Sequence, residues 1–298
     1  MATTISTKDI AELRNRTGAG MMDCKKALEE TGGNIEEAIA YLRKKGIAKA
    51  EKRVGRAASE GKIVSLISPD HRHAALIELN SETDFVARNE EFGRLAEELA
   101  QQVMEDEATD AVVHKPDEHA LFGKPWHKDA GTTVGEVVKA AAGKTGENVT
   151  LRRFARFATN GALGNYVHFN GKVAALVEVE GAQGPEVQQL AKSIAEHVAA
   201  GVPAVPVAVT RDQVSPELVE KERAIFAEQA RESGKPENII EKMIGGRIDK
   251  YYGEVALVEQ PWVREPSKTI RELIKEVGKQ VGAELSVKRF ARFQMGEE

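Results

Sequence analysis

Part of this chain is written twice. Residues 74–79 read AALIEL and residues 174–179 read AALVEV. Both are short apolar runs with β-branched residues, the composition of a buried strand. A helix-spaced stripe follows each: Phe92, Leu95, Ala96, Leu99, Ala100 and Val103 in the first copy, Val187, Leu190, Ala191, Ile194, Ala195 and Val198 in the second. The two spacings are identical, and each matches one buried helical face. A third match sets VTLRRFARF at 149–157 against LSVKRFARF at 285–293, again as strands. Duplicated strand–helix–strand units predict an α+β fold with two related halves, each a helix on a small antiparallel sheet.

The offset between copies records what each has added. It is 100 at the first strand and 95 at the helix, so the first copy has five extra residues there. They enlarge a loop reading Ser81-Glu82-Thr83-Asp84-Phe85-Val86-Ala87-Arg88-Asn89. The offset rises to 136 at the last strand, giving the second copy 41 extra residues. Within them Ser215-Pro216 starts a helix and Ser233-Gly234-Lys235-Pro236 turns the chain. Ile239, Ile240, Met243 and Ile244 then stripe a second helix. This hairpin, about 215–252, is not expected to bury its stripe alone, so it should face a partner or a second copy of the chain. Residues 106–134 hold Pro116, Pro125 and several histidines with little periodicity, and are expected to form a surface excursion.

Ahead of the repeat, three short helices are expected. Thr7 should cap the first and Asp23 open the second. Asn34 and Glu37 have the spacing of a capping box for the third, whose apolar stripe is Ile35, Ala38, Ile39 and Leu42. Lys44, Lys45 and Gly46 should end it, leaving a connector over about 47–60. The expected organisation is a three-helix domain over 1–55, a first core subdomain over 56–160, and a second over 161–298 carrying the hairpin.

At 298 residues, with 41% hydrophobic and 30% charged residues, the chain suits a soluble globular protein. A net charge of −5 argues against a strongly basic nucleic-acid binder. The one cysteine, Cys24, excludes a disulfide framework and a multi-cysteine zinc site, and it is expected to be a small, partly buried side chain. No signal peptide or membrane-length apolar run is visible, which predicts a cytoplasmic location. No phosphate-binding glycine loop stands in the right context, and His114 and His119 are five apart across Pro116, which misses metal-ligand spacing on a helix. Neither a cofactor nor a metal is therefore expected. Arg152, Arg153 and Arg156 interleave with Phe154 and Phe157, as a surface for single-stranded nucleic acid would. Because the pattern recurs at Lys288, Arg289, Phe290, Arg292 and Phe293, the favoured reading is a structural strand with one buried and one wet face.

The enlarged loop is different. Phe85 falls outside the helical stripe that starts at Phe92, and the second copy folds without any of these residues. An aromatic beside the carboxylate of Asp84 suits insertion into a partner. The competing reading makes Phe85 a lid on its own helix.

At these residues the chain resembles the elongation factor Ts family, the guanine-nucleotide exchange factors of elongation factor Tu. TGAGMMDCKKAL at 17–28, ETDFVARNEEF at 82–92, GKPENIIEKMIGGR at 234–247 and QPWVREPSKT at 260–269 carry the resemblance in order along nearly the whole length. It implies a ubiquitin-associated-like N-terminal module, no catalytic residues, and a partner, elongation factor Tu with GDP bound; no direct nucleotide or membrane binding is implied. It also implies that Asp84 and Phe85, framed by Thr83 and Val86, displace the partner's Mg²⁺. His168 in GNYVH, together with Arg14, Met21 and Met22, would contact the GTPase. The stretch 106–134 is longer than the family pattern suggests. A peptide- or ubiquitin-binding adaptor acting through the N-terminal helices is the alternative, and the hairpin could serve a homodimer.

Overall fold

The computed structural model describes residues 5–232 and 236–297 except 52 and 54. The helix α1 (Thr7–Thr17) is followed by α2 (Met21–Glu30) and α3 (Ile35–Glu51). The first half adds β1 (Glu60–Ile67), β2 (His73–Ser81), the single turn α4 (Asp84–Ala87), α5 (Glu90–Met104), β3 (Val112–Val113), β4 (Pro125–Trp126), β5 (Asp129–Thr133), α6 (Val134–Thr145) and β6 (Thr150–Ala158). The second half contains β7 (Ala162–Val167), β8 (Val173–Glu180), α7 (Pro185–Ala200), α8 (Pro216–Arg231), α9 (Glu237–Val255), β9 (Pro261–Trp262), β10 (Glu265–Thr269), α10 (Ile270–Val281) and β11 (Ser286–Gln294). The expected α+β architecture is present: a helical N-terminal module, then two halves built on small antiparallel sheets.

Leu13, Cys24, Ala27, Leu28 and Ala38 form the N-terminal module's core. Ser6, not Thr7, caps α1: its hydroxyl accepts from Asp9 N at 3.1 Å and the Asp9 carboxylate accepts from Ser6 N. Helix α2 starts at Met21, two residues before Asp23, from Gly20 with no side-chain cap. Asn34 Oδ1 accepts from Glu36 N and Glu37 N, but Glu37 bonds the Asn34 amide and not its backbone, so the box is only half formed. Helix α3 does not stop at Gly46. It runs on to Glu51 because Gly46 packs against α6: a Cβ on Gly143 would lie 2.8 Å from Gly46 Cα. Two glycines facing each other let these helix backbones approach closely, and tertiary contact overrides a local stop signal.

The first sheet has the order β1-β2-β6-β3 and the second β11-β8-β7. Helix α5 covers one face of the first sheet through Phe92, Ala96, Leu99, Ala100 and Val103, and α7 covers the second through Val187, Leu190, Ala191, Ile194 and Val198. The duplication extends further than the matched strings. Pro125-Trp126 and Pro261-Trp262 open matching ribbons, β4–β5 and β9–β10. Thr133 and Thr269 then cap α6 and α10 with complete capping boxes. Residues 106–134 are therefore not simply a surface excursion. Their second part is a repeated element, and Leu121 and Trp126 are buried in the first half's core.

The expectation of a wet face on the FARF strands also fails. The two sheets pack on each other through Ile63, Ala74, Leu76, Ala155 and Phe157 on one side and Leu163, Ala174, Leu176, Ala291 and Phe293 on the other. Phe154, Phe157 and Phe293 are buried, so they are not available to stack on nucleic acid. The basic residues serve the seam. Glu78 lies opposite Arg153 and Glu178 opposite Arg289, each pair 2.6 Å apart. The guanidinium of Arg153 sits 4.5 Å over the ring of Phe293, and that of Arg289 4.1 Å over Phe157, so each half supplies the cation for the other's ring.

The hairpin of α8 and α9 shares a small core with the segment that precedes it: Val219, Ile248 and Val255 are buried with Ala208 and Val214, and Phe226, Ile244 and Tyr251 pack on them. Of the expected stripe, Ile240 is buried and Ile239 exposed. The Ser233-Gly234-Lys235 part of the expected turn lies outside the described residues. Among the described residues no helix is long and apolar enough to cross a membrane.

The hairpin's base is tied to α7 by a buried histidine. His197 Nδ1 accepts from Val263 N at 3.2 Å, which leaves Nε2–H to donate to Gln260 Oε1 at 2.9 Å. Gln260 in turn donates to Ala204 O and Glu254 O. Burial pushes the His197 pKa below the usual histidine value, against the smaller opposing effect of the Gln260 bond. The unfolded chain, with a histidine pKa of about 6.5, thus takes up a proton that the folded chain refuses. This contribution is complete above about pH 6.5 and shrinks as pH falls below it. Urea midpoints at pH 8 and pH 5.5 should differ less in His197→Gln than in the wild type.

Candidate functional site

The loop after β2 is ordered, and it contains a turn of helix where sequence reasoning expects only a loop. Thr83 is its N-cap: the hydroxyl faces Val86 N at 3.4 Å and donates to Glu147 Oε1 at 2.6 Å. Asp84 stands in the first turn, where a carboxylate suits the free N–H groups, and pairs with Arg88 at 3.0 Å. Val86 turns inward and packs on the first half's core. Successive helical residues point about 100° apart, so a turn that buries Val86 must direct its neighbour away. Phe85 is 84% exposed. It is not a lid on α5.

The four residues therefore divide. Thr83 and Val86 hold the turn in place; Asp84 and Phe85 are displayed. They border an open groove of about 1070 Å³ whose opposite wall is the turn after β7. That wall carries Phe169, which is 92% exposed. Its turn is fixed by Gly171 N donating to His168 O at 2.8 Å, by Ile63 N donating to Gly171 O at 3.1 Å, and by a Lys172–Glu60 ion pair of 2.9 Å. His168 itself is half-buried and faces away from the groove. The Tyr166 hydroxyl lies 3.1 Å from its Nδ1, and its ring rests against that of Phe169 at 4.5 Å.

The N-terminal candidates lie at the start of α2. Met21 and Met22 are 59% and 75% exposed, and Arg14 on α1 is exposed too. Met21 continues the side of α2 that buries Cys24 and Leu28, but it stands one turn beyond the core's edge. These side chains are not needed for helix packing. The module is joined to the Phe85 region through Lys144 at the end of α6, which packs against Gly18 and pairs with Glu91 at 2.8 Å in the first turn of α5. Cys24 is buried, which raises its thiol pKa. Among the described residues no group of three or more histidine, cysteine or carboxylate side chains could hold a metal.

A family model described as "Elongation factor TS" matches residues 82–297, beginning at the Glu82 that precedes the displayed turn. The chain belongs to the elongation factor Ts family. Similar relatives are the elongation factor Ts of Halothermothrix orenii, 42% identical over 98% of this chain and 93% of the relative, and that of Aquifex aeolicus, 41% identical over 99% of both. The elongation factor Ts of Thioalkalivibrio sulfidiphilus is 46% identical over 99% of this chain and 93% of its own length. These relatives span the N-terminal module as well as the two halves, so the chain is a translation elongation factor along its whole length.

As an elongation factor Ts the chain has two features at this site that the sequence motifs do not single out. One is Phe169. Its signal is a large apolar residue placed directly before Asn170-Gly171, where turn residues put it on the surface. The other is Glu147, whose carboxylate binds the Phe85 turn.

Proposed function

We propose that this chain binds elongation factor Tu·GDP and promotes GDP release by displacing Mg²⁺, after which GTP rebinds. The observation that carries the reading is Phe85, an exposed ring beside the carboxylate of Asp84 on a turn fixed from behind. Mg²⁺ requires near-ideal octahedral coordination, so a wedge that shifts its protein support weakens it strongly. Without the metal the nucleotide phosphates lose their largest counter-charge. Burying a phenylalanine contributes about 1.5–3 kcal/mol. A thousandfold faster release needs about 4 kcal/mol. One ring falls short of that; Phe169 on the second wall of the groove supplies the further contact, and His168, outside the groove with its ring against that of Phe169, supports it. Arg14, Met21 and Met22 give the N-terminal module an adaptable grip on the same GTPase. The hairpin, through exposed Leu218, Ile225 and Ile239, is the contact for the GTPase or for a second copy of the chain.

The chain acts as a regulator with no covalent step. Binding linkage is reciprocal: the factor and the nucleotide weaken each other by the same ratio, so free nucleotide dissociates the complex. The adaptor alternative is weakened by the close packing of α3 on α6, which makes the N-terminal module part of a larger body. Fluorescent GDP preloaded on elongation factor Tu should leave much faster when the full chain is added. An unchanged release rate contradicts the reading.

A further inference from the structure

We propose that Glu147 is a positioning residue for exchange: it sets the angle at which the turn after β2 presents Asp84 and Phe85. The inference rests on the exchange-factor reading. A helix of one turn cannot hold itself in water, because the cost of nucleation exceeds what one or two hydrogen bonds return. Helix α4 has four residues, closed by Ala87 N donating to Thr83 O and Arg88 N donating to Asp84 O. Its orientation must come from outside. Val86 supplies one anchor and the Ser81 hydroxyl, donating to Thr83 O at 3.0 Å, a second; Glu147 supplies the third and bonds the turn through both its oxygens.

Glu147 Oε2 accepts from the backbone N–H groups of Glu82 and Thr83 at 3.1 and 3.0 Å, and Oε1 accepts from the Thr83 hydroxyl at 2.6 Å. The grip is mutual, since Asn148 N donates to Glu82 Oε1 at 2.6 Å. Hydrogen bonds to an ionised carboxylate are about twice as strong as neutral ones. The second half of the molecule provides an internal control. Gly146 and Gly282 end α6 and α10 in the same left-handed conformation. The next residue is Glu147 in the first half and Ala283 in the second. In the second half only residues 181–184 separate the strand from its helix, and no helical turn stands there to be held. Were the carboxylate needed to close the helix or to start the following strand, both halves would need it. It occurs in the half that carries the turn.

The test uses the full chain with Glu147→Ala and Glu147→Gln, titrated against elongation factor Tu loaded with fluorescent GDP. Glu147→Ala should lower the maximal release rate by about tenfold or more while changing the half-saturating concentration by less than about threefold. Amide exchange should accelerate at residues 82–88 and not in β2 or α5, with the melting temperature nearly unchanged. Glu147→Gln keeps an oxygen that accepts from the backbone and should recover most of the rate. A wild-type rate in Glu147→Ala overturns the proposal. So does a rate loss that accompanies global unfolding, or one that glutamine fails to relieve. Failure of the wild-type chain to accelerate release is a separate result, and it removes the exchange reading on which the proposal stands.

Discussion

Changing Asp84 and Phe85 together to alanine should cut the acceleration of GDP release by on the order of a hundredfold or more, with stability almost unaffected. The two halves of that expectation have separate causes. Phe85 is 84% exposed, so its truncation removes little packing within this chain. Asp84 pairs with the exposed Arg88, one turn on, and such surface pairs contribute under about 1 kcal/mol. Surface substitutions of this kind shift stability by about 0.5 kcal/mol or less. On the proposed mechanism the ring becomes buried in the complex, and losing about 1.5–3 kcal/mol of burial lowers the rate by about ten- to a hundredfold if it acts in the transition state. Loss of the carboxylate adds to this. Val86→Ala makes a useful contrast, because Val86 packs on the core and its truncation should lower stability first. Stopped-flow release of fluorescent GDP, paired with urea melts of each variant, separates the two effects. A double variant that still releases GDP at the wild-type rate removes Asp84 and Phe85 from the mechanism.

What could be read from the sequence followed from periodicity and repetition. The stripes of α5 and α7 lie on the face the spacing assigns, because a helix buried on one side writes its burial every three or four residues. The outward direction of Phe85 was open to argument because the second copy folds without it. The FARF strands misled for a physical reason. Alternation of arginine with apolar residues reads as one wet face, yet here both faces are covered, Arg153 and Arg289 are neutralised by Glu78 and Glu178 from neighbouring strands, and Arg156 donates to the backbone oxygens of Met104 and Thr109. No local pattern encodes such a partner, which lies 75 residues away for Arg153. Helix α3 overran its stop signal because Gly143, on another helix, makes room for Gly46. The Glu147 clamp reaches across 64 residues and becomes legible only once the two halves are set side by side and Ala283 is found in its place.

The buried pairs on the seam give the largest expected effect on stability, and the two copies should not behave alike. Glu78 is fully buried and Arg153 nearly so, with a side chain 9% exposed; Arg153 also donates to Gln294 O. Taking away Glu78 leaves a buried guanidinium without its counter-charge, and breaking one side of such a pair costs about 3–5 kcal/mol. Glu178 is equally buried, but Arg289 is 24% exposed and also binds the Asp110 carboxylate at 2.5 Å. Asp110 keeps a charge beside Arg289 when Glu178 is removed. Glu78→Gln should therefore lower the urea midpoint clearly more than Glu178→Gln. Replacing both members, Glu78→Leu with Arg153→Leu, should recover much of the loss, since an apolar pair avoids desolvating two charges. The recovery should be incomplete, because Arg153 also covers the ring of Phe293 in the other half. Equal losses at the two sites would mean that Asp110 contributes nothing to holding Arg289 once Glu178 is gone.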